Sequence, residues 1–165
     1  MNIKRIVKHL LLTHWQVNRA FPRKTLLAIE QAIKASETAH VGEIRFVVEG
    51  ALEGTPLFNG QSARERAVDI FSQLRLWDTE YNNGLLVYLL LADRAVEIVA
   101  DRGIHSKVGT REWEGICHTM ETAFNRKDFE RGVIRGLEAV SEHLMNHFPA
   151  SGVGRNELSN KPVVL

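Results

Sequence analysis

The stretch from Tyr81 to Ile104, YNNGLLVYLLLADRAVEIVADRGI, decides the fold. Leu85 to Leu91 runs without a charge, as a strand buried on both faces does, and such strands sit in the middle of a sheet. Gly84–Leu91 is therefore predicted as the central strand. In Ala95–Ala100, Val96 and Ile98 alternate with Glu97 and Val99, which places this second strand nearer an edge. Asp93 and Arg94 form the short polar connection between them, so the pair is predicted to be a hairpin.

The flanking sequence supplies layers for this core. Glu43–Glu49 sets Ile44, Phe46 and Val48 opposite Arg45 and Val47, a half-buried first strand. Ser62 with Glu65 three residues on is a capping box, and Ala67, Ile70, Phe71 and Leu74 form the apolar stripe of the helix it opens. Strand, helix and buried strand in succession make a βαβ unit, so Glu43–Glu49 and Gly84–Leu91 are predicted to run parallel. Pro22 opens a helix that Gly42 ends. Thr110 caps another, with Trp113, Ile116, Cys117, Met120 and Phe124 on one side. Asp128 caps the last, striped by Phe129, Val133, Leu137, Val140 and Leu144, with Gly132 and Gly136 permitting close approach. The glycine-rich segment Gly50 to Gln61 reads as a loop, and Trp77 as a plug in the core. The expectation is an α/β fold: a three-layer α/β/α sandwich with a small mixed sheet and a buried central strand.

The chain has 165 residues, 44% hydrophobic and 25% charged, which suits one domain with a sizeable core. It divides into a basic amphipathic amino-terminal helix and arm (1–24), an α/β/α domain (25–148) and a Gly/Ser/Asn-rich tail (149–165), predicted mobile unless a partner holds it. The formal net charge is +1, yet Lys4, Arg5, Lys8, Arg19, Arg23 and Lys24 all precede the first acid, Glu30. Ile3, Ile6, Val7, Leu10 and Leu11 recur at helical spacing, giving a stripe that packs on this domain or a second subunit, or lies on an anionic membrane. Packing is the favoured reading. Cys117, the single cysteine, forms no intrachain disulfide and reads as an inert core residue in a reducing cytoplasm. No run reaches the roughly 18 to 20 apolar residues a membrane span needs. Lys8 and His9 interrupt the apolar start, so it reads as mature sequence rather than a signal peptide.

Ligands of open α/β sheets gather beyond the carboxyl ends of parallel strands, which nominates the loop after Glu49 and the pair Asp93 and Arg94. Asp93 and Glu49, with Glu53, carry the oxygen donors that a hard cation such as Ca²⁺ or Mg²⁺ prefers. A solvated hairpin turn with ordinary surface acids is the competing reading. His143 and His147 lie four apart on a helix but have no third ligand, and solvent exposure suits them better. There is no dinucleotide fingerprint, phosphate-binding glycine loop, nucleophile elbow or zinc pattern, so no organic cofactor is expected. Without interleaved aromatic platforms, neither is a nucleic-acid partner.

The order NNGLL, apolar strand, DR, second strand, G-I, then two amphipathic helices with Phe129 opening the last, resembles the TPM domain family from roughly Gly42 to Phe148. The resemblance implies a site near Asn82, Asn83, Asp93 and Arg94, and the family's assigned properties are phosphatase activity and divalent-cation binding. Phosphate-ester hydrolysis needs groups that neutralise phosphoryl oxygens and a carboxylate that positions water, chemistry that Asp93 with Arg94 suits. Where the family pattern has G-x-G after the second strand, this chain has Ala100-Asp101-Arg102-Gly103. Two functional readings follow from the resemblance. One is a binding module with a divalent-cation site, contacting a protein partner or a membrane-associated complex in protein quality control. The other is a divalent-metal-dependent phosphatase. A homo-oligomer and peripheral membrane contact through the amino-terminal helix are compatible with either.

Overall fold

The computed structural model describes residues 2–150 and 157–165. In chain order the elements are α1 (Ile3–Leu11), α2 (His14–Ala20), α3 (Arg23–Ser36), β1 (Glu43–Glu49), α4 (Gly54–Phe58), α5 (Ala63–Gln73), β2 (Gly84–Leu90), β3 (Ala95–Ala100), α6 (Arg102–His105), α7 (Thr110–Asn125), α8 (Phe129–His147) and β4 (Val163–Val164). The sheet order is β3-β2-β1-β4. β1 and β2 are parallel, with Phe46 opposite Val87, and β2 and β3 form the antiparallel hairpin, with Val87 opposite Ile98. The uninterrupted apolar run of β2 is buried at every position, because helices cover both faces of the sheet. On one face Ile44, Phe46, Leu85 and Val87 meet α3, α7 and α8; on the other Val47, Leu86, Tyr88 and Leu90 meet α5 and the segment around α4. The mixed-sheet α/β sandwich expected from the sequence is what the chain forms.

Where α7 crosses α8, a methyl group on Gly136 would lie 2.3 Å from the sulfur of Met120, so the glycine sets how closely the two helices approach. The free side of the edge strand β3 is covered by side chains. Glu121 accepts from the Val96 N–H at 3.0 Å and Arg64 donates to the Ile98 carbonyl at 2.6 Å, which blunts an edge that would otherwise pair with another chain. Cys117 packs against the core on the α3, α7 and α8 face of the sheet, and burial first, then the nearby Glu97, pushes its thiol up to about 12. A thiol so raised carries almost no thiolate at neutral pH.

Four expectations need correction. Trp77 is 52% exposed rather than a plug: Arg75 takes a left-handed conformation (φ 52°) that turns the chain, and Leu76 fills the core instead. The Gly50–Gln61 loop contains the short helix α4, whose Leu57, together with Leu52, is buried. Helix α7 is capped at Gly109, with Thr110 already helical. In the carboxyl-terminal segment, residues 151–156 lie outside the described residues, but 157–165 are ordered. β4 adds to β1 in parallel, and the backbone N–H groups of Glu157 and Leu158 donate to the Glu43 carboxylate at 3.2 and 3.1 Å. Asn160 donates to Glu37 at 2.6 Å. The segment shows no hydrophobic period because long-range hydrogen bonds hold it, together with two isolated apolar contacts, Leu158 and Val163, on the core.

Burial, then the neighbouring Glu43, raises Glu37 from the usual 4.5 to about 7, against the lowering effect of the Ile44 N–H and Asn160. Between those two values the folded chain retains a proton that the unfolded chain has lost, so this group's contribution to stability falls as pH rises from about 4.5 to about 7 and is level above. Discounted for partial solvent exposure, the effect is on the order of 1 kcal/mol. Thermal melts at stepped pH are expected to show that decline in the natural protein and a flatter profile in Glu37→Gln; parallel profiles would contradict it.

Candidate functional site at the carboxyl ends of the parallel strands

β1 ends at Glu49 and β2 at Leu90, and their parallel pairing brings both ends to one edge of the sheet. The chain is tied across that edge, where Leu91 N–H donates to the Glu49 carbonyl at 2.9 Å and Ala92 N–H to Gly50 at 3.0 Å. Two of the predicted site residues, Glu49 and Asp93, therefore sit on the same edge. Neither carboxylate stands alone.

Glu49, 6% exposed, receives a two-pronged ion pair from Arg66 of α5, with Nε at 2.9 Å and an Nη at 2.8 Å, and a 2.6 Å hydrogen bond from the Tyr88 hydroxyl. Planar guanidinium matches planar carboxylate in this arrangement. Burial and the adjacent Glu49 charge push the Tyr88 hydroxyl far above its ordinary range, so it stays protonated and donates.

Asp93 is held by α1. Arg5 donates to Oδ2 through Nε at 2.9 Å and approaches it with Nη2 at 2.8 Å, while that Nη2 also donates to the Gln61 carbonyl at 2.7 Å. His9, buried, stands 3.1 Å from Asp93 Oδ1 through Nε2, and its Nδ1 accepts the Leu52 N–H at 2.9 Å. Because Nδ1 is an acceptor, the proton of the neutral ring is on Nε2, facing Asp93. Burial alone would raise the Asp93 carboxyl, but the hydrogen bonds from Arg5 and His9 outweigh it and hold the group below its ordinary value. The latch is therefore intact at neutral pH and its contribution is lost only as pH falls through the acid range.

α1 thus packs on the domain by its polar side, contrary to the expectation that its apolar stripe would pack on this domain. Ile6 alone of that stripe is partly buried against the core, while Ile3, Val7, Leu10 and Leu11 face outward. The partners that orient the helix lie 84 and 88 residues away in sequence, so no local signal marked Arg5 and His9 as contact residues. Arg94, in the hairpin turn with φ 53°, is exposed to solvent's side and donates to Asn125 at 3.3 Å.

The predicted site does not converge as a whole. Asn82 and Asn83 precede the amino end of β2, and Asp93 and Arg94 follow its carboxyl end, so the two pairs are separated by the strand's length, roughly 20 Å at 3.3 Å per residue. The asparagines do structural work where they stand. Asn82 takes φ 50° and its carbonyl accepts Gly103 N–H at 3.1 Å; the Asn83 amide donates to the Val41 carbonyl and its backbone carbonyl accepts from Glu43 N–H at 3.0 Å. Asn83 Oδ1 and Asp101 Oδ2 are buried there without a hydrogen-bond partner among the described residues. His143 packs edge-on against Trp113 with ring centroids 5.7 Å apart.

Beside Glu49 lies a cleft of about 600 Å³ between α2, α4 and the end of β1. Val17, Leu52 and Pro56 provide its apolar wall, and His14, Glu53 and Arg66 its polar rim. Sequence pattern had nominated Glu49 and Glu53 here but not His14 or Arg66, whose helices are brought to the edge by tertiary packing. Among the described residues, no three His, Cys, Asp or Glu side chains are grouped to hold a metal ion, and no helix is long and apolar enough to cross a membrane.

Comparison with known proteins places this architecture. No curated protein matches the chain. The solution structure of BA42 protein from the psychrophilic bacterium Bizionia argentinensis is similar at 27% identity, with a TM-score of 0.74 over 86% of this chain and 93% of that one. The N-terminal domain of a P. gingivalis protein shares the fold at 20% identity, with a TM-score of 0.59 over 72% and 74% of the respective chains. The TPM domain profile matches residues 18–143, which extends the resemblance well before Gly42 to take in α3 and the last turn of α2. The chain belongs to the TPM domain family.

Proposed function

We propose that this TPM domain works as a binding module, using the cleft at the end of β1, and not as a metal-dependent phosphatase. The observation that carries the reading is the state of the two edge carboxylates: Glu49 is neutralised by Arg66 and Asp93 by Arg5. A hard cation seeks several oxygen donors with uncompensated negative charge, and at Asp93 it would meet a guanidinium instead. The residues present do not fit Ca²⁺ or Mg²⁺ at that point. The cleft, in contrast, joins an apolar wall to a few polar groups, the composition of sites that recognise ligands or peptide side chains. A partner protein, within a membrane-associated quality-control assembly, is the occupant this reading favours.

Two measurements test it. Hydrolysis of p-nitrophenyl phosphate is expected to stay at the protein-free rate with or without Mg²⁺ or Ca²⁺. Metal-dependent turnover that Arg94→Gln abolishes while the melting temperature holds would instead establish the phosphatase; Arg94 is the informative position because, unlike Asp93, it does not anchor α1. Calorimetric titration with either cation is expected to show no saturable binding tighter than about 1 mM.

A further inference from the structure

We propose that α1 is a docking face for an anionic lipid surface. This stands apart from the cleft and its occupant. At 100° per residue, Ile3, Val7, Leu10 and Leu11 occupy one arc of the helix, while Arg5 and His9 occupy the arc turned to the domain. The contacts with Asp93, Gln61 and Leu52 fix that orientation. Ile3 is 68%, Leu10 66% and Leu11 70% exposed. Held this way, an apolar face cannot roll inward without breaking an ion pair and exposing a buried imidazole to the loss of both its hydrogen bonds.

Charge selects the occupant. Lys4 and Lys8 lie together along one edge of the stripe and are exposed, and Arg19, Arg23 and Lys24 follow, also exposed, before any acid occurs in the sequence. Asp93, the acid that α1 side chains bond among the described residues, is already paired with Arg5. Trp15, 64% exposed, sits just beyond the helix with the Arg19 guanidinium 5.2 Å from its ring centre, a residue type and pairing suited to the headgroup region. An apolar arc bordered by lysines is the pattern of helices that lie in the plane of a membrane interface. A second copy of the chain fits less well. A two-fold contact would set lysines against lysines, and four or five side chains bury roughly 500 Å² per partner where a stable dimer needs about 800 Å².

The test uses the full chain and sedimentation with vesicles of phosphatidylcholine alone or with about 30% phosphatidylglycerol. Binding is expected only to the anionic vesicles, falling as salt rises from about 0.1 M to about 0.5 M. Leu10→Glu with Leu11→Glu is expected to weaken it at least about tenfold, with an unchanged melting temperature because both side chains are already in water. The proposal is overturned if neither vesicle binds, if both bind equally, or if the double variant binds as well as the natural chain. Sedimentation equilibrium showing a dimer that the same variant dissolves, without vesicle binding, would assign the face to a second copy instead.

Discussion

Glu49→Ala is expected to lower the unfolding free energy by about 3 to 5 kcal/mol, the range for breaking one half of a buried ion pair. Glu49 is 6% exposed, and its removal leaves two dependents: the Arg66 guanidinium, which loses both hydrogen bonds, and the Tyr88 hydroxyl, which is fully buried. An unsatisfied hydroxyl at such depth alone costs about 1 to 3 kcal/mol. Against a total stability of about 5 to 15 kcal/mol, the loss is large enough to shift a urea midpoint far down. Arg66 is one-fifth exposed and can swing toward the cleft, which keeps the expected cost from going higher. Glu49→Gln retains an acceptor for Tyr88 and should fall between the natural chain and the alanine variant. A drop below about 1 kcal/mol for Glu49→Ala, at unchanged dependence on denaturant, would show that the triad is not held as described.

The contrast between Glu49 and Asp93 explains what could be read in the sequence. The strands were legible because burial on both faces leaves an unbroken apolar run, as in Leu85–Leu91, and burial on one face leaves alternation. The helix after Ser62 was legible because its cap is local: the Ser62 hydroxyl accepts Glu65 N–H at 3.1 Å and Glu65 accepts Ser62 N–H at 2.7 Å. Position along the sheet was legible too, since parallel strands bring their carboxyl ends together, and so Glu49 and Asp93 were assigned to one edge. What sequence could not show was the partner of each charge. Arg66 reaches Glu49 from 17 residues away, and Arg5 reaches Asp93 from 88.

The same limit accounts for α1 and for the carboxyl-terminal segment. A stripe of Ile3, Val7 and Leu10 reads as a buried face because most such stripes are buried; only the anchoring of Arg5 and His9 on the opposite arc reverses it. Val163 and Val164 are too short a run to announce a strand, and they form one because β1 offers a free edge and the preceding residues are pinned by Glu43 and Glu37. Resemblance to the family had grouped Asn82 and Asn83 with Asp93 and Arg94 as one site. Their separation by the length of β2 shows that a sequence pattern can be shared for two reasons at once, one of them purely architectural.

Gly84→Ala makes that architectural reason testable, and it is expected to destabilise the chain by about 3 kcal/mol or more. A methyl group built on Gly84 would lie 1.9 Å from the Leu76 carbonyl oxygen and 2.9 Å from its carbonyl carbon. Both atoms are backbone, and Leu76 is itself buried after the left-handed turn at Arg75, so no side-chain rotation relieves the contact. Replacing glycine by alanine in an extended strand would otherwise gain about 0.4 to 1 kcal/mol by restricting the unfolded chain. Overpacking at a site that cannot yield typically costs 1 to 3 kcal/mol and more when backbone must move, so the clash wins. Moving Gly84 would also disturb Asp101, whose N–H donates to the Gly84 carbonyl at 2.9 Å, and the neighbouring Asn83 contact to the Val41 carbonyl. The loss is therefore expected to appear as a lower melting temperature together with faster hydrogen exchange at the amino ends of β1 and β2, while the Asp93 latch at the far end of β2 keeps its protection longer. A Gly84→Ala variant as stable as the natural chain would mean that this glycine is set by something other than the passage of Leu76.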